Sequence, residues 1–60
     1  MINKGSYRIS KGAFSKLLFS WQLKYKVEVD YQQRQTLVVI QTNEGELKAQ
    51  FKYNGWLTIT

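Results

Sequence analysis

Apolar and polar residues alternate without interruption from residue 21 to residue 31. A period of two places successive side chains on opposite faces of a strand. The pattern therefore predicts a strand over residues 21–31 with one buried face. The apolar positions of this strand are Trp21, Leu23, Tyr25, Val27, Val29 and Tyr31.

The segment before this strand has helical spacing. Its apolar positions stand at i, i+3, i+4 and i+7, the spacing of one helix face: Phe14, Leu17, Leu18 and Trp21. Ser10 precedes them and is a good N-cap, because its hydroxyl can accept a hydrogen bond from the first turn. We predict a helix over about residues 11–20 that covers the apolar face of the sheet, with Phe19 turned outward.

Three later segments have strand patterns. Residues 36–42 are rich in β-branched side chains, and residues 47–53 alternate again. Residues 56–60 follow Asn54-Gly55, a strong hairpin signal. The chain therefore predicts an α+β fold in a single small domain, residues 1–60. It consists of one N-terminal helix packed on a four-stranded antiparallel β-meander, with a short extra N-terminal edge strand as an option over residues 5–9.

The turns also predict how the strands pair. A turn at Asn54-Gly55 pairs Tyr53 with Trp56, a turn at 44–45 pairs Thr42 with Leu47, and a loop at 32–35 pairs Tyr31 with Thr36. Since a slip of one residue turns a strand over, the agreement of these registers on one apolar face supports them. The predicted buried face contains Val27, Val29, Val38, Ile40, Leu47, Ala49, Phe51, Tyr53 and Trp56.

The same registers leave apolar side chains on the opposite face of the sheet. One helix covers one face, so we expect these residues and the outward Phe19 to form an interface. The predicted interface residues are Phe19, Leu37, Val39, Leu57 and Ile59. The partner is a second copy, giving a homodimer, or another protein bound at this face or at the uncharged last strand. The alternative is that the N-terminal segment or loose packing covers this surface.

Residue types that are missing exclude several kinds of chemistry. The chain has no cysteine and no histidine, which excludes disulfides, Cys/His zinc sites and histidine-based acid–base catalysis. Glu28 and Asp30 stand two apart on one strand face, but a charged, solvated strand explains them better than a carboxylate pair does. We therefore expect no enzymatic activity, no cofactor and no metal site.

The length of the apolar runs bears on location. The longest run is residues 37–40, whereas a membrane-spanning helix needs about 20 apolar residues. The first residues also lack the apolar core of a signal peptide. We expect no membrane association and a cytoplasmic location.

Charge indicates the class of partner. The net charge is +5, and residues 1–26 hold six basic residues and no acid. We predict a small basic nucleic-acid-binding or regulatory protein with weak sequence specificity, because phosphate contacts carry no base information. The predicted contacts are Arg8, Lys11, Lys16, Lys24 and Lys26. Solubility is the alternative explanation of the charge, and a protein-binding module, such as an inhibitor or adaptor, is the alternative function.

Overall fold

The computed structural model describes residues 2–60 and contains one helix and five strands. The elements are β1 (Gly5–Arg8), α1 (Lys11–Lys24), β2 (Lys26–Tyr31), β3 (Gln35–Thr42), β4 (Gly45–Lys52) and β5 (Trp56–Ile59). The strands form one antiparallel sheet in the order β1-β5-β4-β3-β2, and α1 packs on one face of it. The predicted α+β fold is confirmed, and the optional N-terminal edge strand is present as β1.

Helix α1 is longer than predicted. Its start is as expected, since Ser10 Oγ accepts a hydrogen bond from the Ala13 N–H at 3.1 Å. It then continues to Lys24, so the prediction of a strand over residues 21–24 is wrong. Of the alternating apolar positions there, only Trp21 continues the helical spacing. It forms one buried stripe with Phe14 and Leu18, whereas Leu23 is exposed. Burial of Trp21 on this stripe favours the helix.

Strands β2 and β3 pair in the predicted register. Tyr31 lies opposite Thr36 and Val29 lies opposite Val38. Strands β3 and β4 are offset from the prediction by two residues, because the turn is at 43–44 and pairs Thr42 with Gly45. An even offset leaves each side chain on its predicted face.

Strand β5 is turned over relative to the prediction. The loop between β4 and β5 has three residues, 53–55, so Trp56 pairs with Lys52 and not with Tyr53. Leu57 and Ile59 therefore enter the core, where they are 2% and 4% exposed, and Trp56 lies on the outer face. Their predicted exposure was wrong, as was the predicted burial of Trp56. The pairing allows two aliphatic side chains to be buried beneath α1.

Strand β1 completes the sheet. It pairs along β5, with Tyr7 opposite Leu57, so the C-terminal strand is not the unprotected edge that the sequence predicts. The edges of the sheet are β1 and β2. The N-terminal strand therefore protects the edge of β5, but it does not cover the sheet face that carries Leu37 and Val39.

The core is built on an aromatic contact between helix and sheet. Phe14 stacks on Phe51 with ring centroids 4.3 Å apart, and Trp21 meets Phe14 edge-on at 6.4 Å. The fully buried apolar residues are Phe14, Leu18, Trp21, Val38, Ile40, Ala49, Phe51, Leu57 and Ile59. Val27, Val29 and Leu47 are partly buried beside them. The other face of the sheet, here called the outer face, is not packed against α1.

Candidate nucleic-acid interface

Three connecting segments meet at one end of the molecule. They are the β1–α1 junction, the β2–β3 loop (32–34) and the β4–β5 loop (53–55), here called together the loop end. Backbone hydrogen bonds join them: the Tyr53 N–H donates to the Arg34 carbonyl at 3.1 Å, and the Ile9 N–H donates to the Gly55 carbonyl at 2.9 Å. Segments distant in sequence are thus held together in space.

Four basic residues lie at the loop end. Arg8 ends β1, Lys11 begins α1, Arg34 lies in the β2–β3 loop and Lys52 ends β4. All four residues are exposed. The positive end of the helix dipole at Lys11 adds to their field, and the first turn of α1 contains no acid.

The acidic residues lie mainly elsewhere. Glu44 and Glu46 are at the β3–β4 turn, at the opposite end of the sheet, and Glu28 and Asp30 are on edge strand β2. The Asp30 carboxylate accepts a hydrogen bond from Gln32 Nε2 at 2.8 Å. Asp30 is therefore a carboxylate next to the β2–β3 loop, and the loop end, with four basic residues beside this one acid, is net cationic.

Two of its basic side chains lie against aromatic rings. The Arg8 guanidinium carbon is 5.2 Å from the Trp56 ring centroid, and Lys11 Nζ is 5.2 Å from the Tyr53 ring centroid. Both rings are 40% exposed, and the Tyr53 hydroxyl is hydrogen-bonded to Thr36 Oγ1 at 2.8 Å. Contacts of this kind hold the cation and the ring together at the surface.

Four residues of the loop end and the adjoining strands form a single row across the outer face. The register pairs Arg8 with Trp56, Trp56 with Lys52, and Lys52 with Gln35. Gln50 Nε2 donates to Gln35 Oε1, so the Gln35 amide is held by a neighbour. The row spans three strand spacings, about 14 Å. It places two cations, an aromatic ring and an amide side by side.

The five basic residues predicted as contacts do not form one surface. Arg8 and Lys11 are at the loop end, whereas Lys16 is exposed in the middle of α1. Lys24 and Lys26 lie at the opposite end, about 20 Å from Lys11 by the rise of the helix. The structure thus brings together only the first two members of the predicted set.

Sequence analysis missed four residues of this surface: Arg34, Lys52, Tyr53 and Trp56. The available signal was the segment 52–56, in which a basic residue and two aromatic residues surround a turn. This segment was not predicted as a contact surface, because the predicted register assigns Tyr53 and Trp56 to the core. Arg34 carried no signal beyond its place in a polar loop.

The predicted interface residues separate into three groups. Phe19 is exposed as predicted, at 62%, and Leu37 and Val39 are half-buried on the outer face. Leu57 and Ile59 belong to the core, so they are removed from any interface. Leu23, 72% exposed, lies one helical turn after Phe19 and was missed because the sequence pattern placed it in a strand.

Other functional features are limited in residues 2–60. Among them, no cluster of three or more metal-ligating side chains occurs, and no helix has both the length and the apolar character needed to cross a membrane.

The chain matches no family model, no curated protein and no solved structure in comparisons with known proteins.

Proposed function

We propose that this protein binds nucleic acid through the loop end. The observation that carries the proposal is that four basic residues and two exposed rings lie at one end of the molecule: Arg8, Lys11, Arg34 and Lys52 with Tyr53 and Trp56. Cations in this arrangement contact phosphates, and exposed rings are where proteins stack bases. The proposed contact residues differ from the dispersed basic residues predicted from the sequence, but the proposed ligand, nucleic acid, is the same.

Weak sequence specificity follows from the same residues. Phosphate contacts position a nucleic acid without reading its bases, and lysine meets a phosphate as a point charge. A regulatory role and a cytoplasmic location are compatible with this activity and remain proposals.

Salt dependence tests the phosphate contacts. The measurement is fluorescence anisotropy of labelled oligonucleotides titrated with protein at about 50 and about 200 mM salt. Four contacts predict a log–log slope between about −3 and −4, which is a loss of affinity of about 100-fold over this range. A slope near zero, or no binding at the lower salt concentration, contradicts the proposal.

Two variants of equal net charge test the location of the site. The first replaces the four loop-end cations with glutamine: Arg8→Gln, Lys11→Gln, Arg34→Gln and Lys52→Gln. The second is its control and replaces four exposed lysines elsewhere: Lys4→Gln, Lys16→Gln, Lys24→Gln and Lys26→Gln. The first should lose binding and the second should retain most of it. Equal losses would show that only net charge matters.

A second candidate function is protein interaction through α1, and its partner is a second copy of this chain. Phe19 and Leu23 are one turn apart and are the two most exposed apolar side chains of the helix. Sedimentation velocity at micromolar concentration should then show a dimer that Phe19→Ser with Leu23→Ser dissociates. A 7.1 kDa monomer in the unmodified protein contradicts this candidate.

A further inference from the structure

We infer that the nucleic acid bound at the loop end is single-stranded and that one of its bases stacks on Trp56. The inference rests on the proposed function and narrows it to one class of ligand. Its basis is the environment of the Trp56 ring on the outer face.

The Trp56 ring is exposed and is held in place by a neighbouring cation. It is 40% exposed on the outer face, whereas the other tryptophan of the chain, Trp21, is 3% exposed in the core. The Arg8 guanidinium lies over the ring at 5.2 Å, and Lys52 is the cross-strand neighbour. Arg8 therefore restrains the ring before any ligand arrives, which lowers the entropy lost on binding.

The bases of a duplex cannot stack on such a ring. They are stacked on one another and offer only their edges and phosphates, whereas an unpaired base can stack on an aromatic side chain. A phosphate on each side of that base falls within the row that contains Arg8 and Lys52.

Tryptophan fluorescence provides the direct readout on the unmodified protein. The probes are an oligothymidylate of about 16 nucleotides, because this length spans the usual site sizes, and a duplex hairpin of the same length closed by a non-nucleotide linker, so that it has no unpaired base. The single strand should bind more tightly than the hairpin and should quench the emission of Trp56. Equal affinity for both probes without quenching overturns the inference and leaves the proposed function intact. Absence of binding to both probes overturns both.

Two substitutions at Trp56 separate stacking from charge. Trp56→Leu keeps every basic residue and should reduce affinity for the single strand by about 5- to 150-fold, with little effect on the hairpin. Trp56→Phe keeps an aromatic ring and should retain most of the affinity. Circular dichroism checks that both variants are folded. Equal affinity of folded Trp56→Leu and the unmodified protein overturns the inference, and the quenching result decides if Trp56→Leu does not fold.

Arg8 provides an independent check. Arg8→Lys retains the charge but loses the planar group that restrains the ring, so it should affect the single strand more than the hairpin. Arg8→Gln should weaken both probes, because the phosphate contact is also lost. If Arg8→Lys affects the two probes equally, the contact with Trp56 has no part in selecting single strands.

Discussion

At the scale of single residues, Gly55 permits the loop that precedes β5. It has φ of 103° and ends a three-residue loop, and Asn54 does not share the positive φ that a two-residue turn needs. The position of this turn was predictable from the sequence, but its length was not. Glycine suits both kinds of loop, and the choice depends on burial of Leu57 and Ile59 beneath α1, a tertiary contact that the turn residues do not reveal.

Replacement of Gly55 tests this local conformation. Gly55→Ala should destabilise the fold by about 1–3 kcal/mol, because an L side chain is strained at positive φ. The control is Gly12→Ala in α1, where an added Cβ meets open space. This substitution should be neutral or stabilising by up to about 1 kcal/mol. Urea denaturation of both variants measures the difference, and a fold insensitive to Gly55→Ala would contradict the loop described here.

At the scale of elements, the boundary between α1 and β2 shows the limit of pattern analysis. Residues 21–25 satisfy strand alternation, and Trp21 also continues the helical stripe of Phe14 and Leu18. The local sequence therefore does not decide between helix and strand for these residues. The decision comes from tertiary packing, in which Trp21 is buried against Phe14. Strands β2, β3 and β4 were predictable because alternation and turn residues agreed there.

The contact between Phe14 and Phe51 should dominate the attachment of the helix to the sheet. Phe14→Ala should cost about 3–5 kcal/mol, because it removes a fully buried ring and leaves a cavity. In a domain of 60 residues, this loss is enough to unfold a large fraction of the molecules. Thermal unfolding followed by circular dichroism measures the effect.

Phe19→Ala is the matched control, since it removes the same side chain from the exposed side of the same helix. It should change the free energy of unfolding by no more than about 0.5 kcal/mol. Similar effects of the two substitutions would mean that α1 packs on the sheet through a different face.

At the scale of the whole molecule, the site depends on topology. Arg8, Arg34 and Lys52 lie in three segments that meet because the strands are antiparallel and β1 joins β5. The sequence revealed an excess of positive charge in residues 1–26, yet it could not reveal which cations share a surface. That information required the strand order and the register of β5. The loop end thus depends on the strand order and on the register of β5, which local sequence patterns do not determine.

The most direct test of the central claim is to map the contact surface by NMR. Amide chemical shifts of the labelled protein are followed while an oligothymidylate is added. We expect the largest changes at the loop end: residues 8–11, 32–35 and 52–56, with the Trp56 indole N–H among them. Residues 19–26 should change little. Changes concentrated on residues 16–26, or no saturable changes at low salt, would contradict the account.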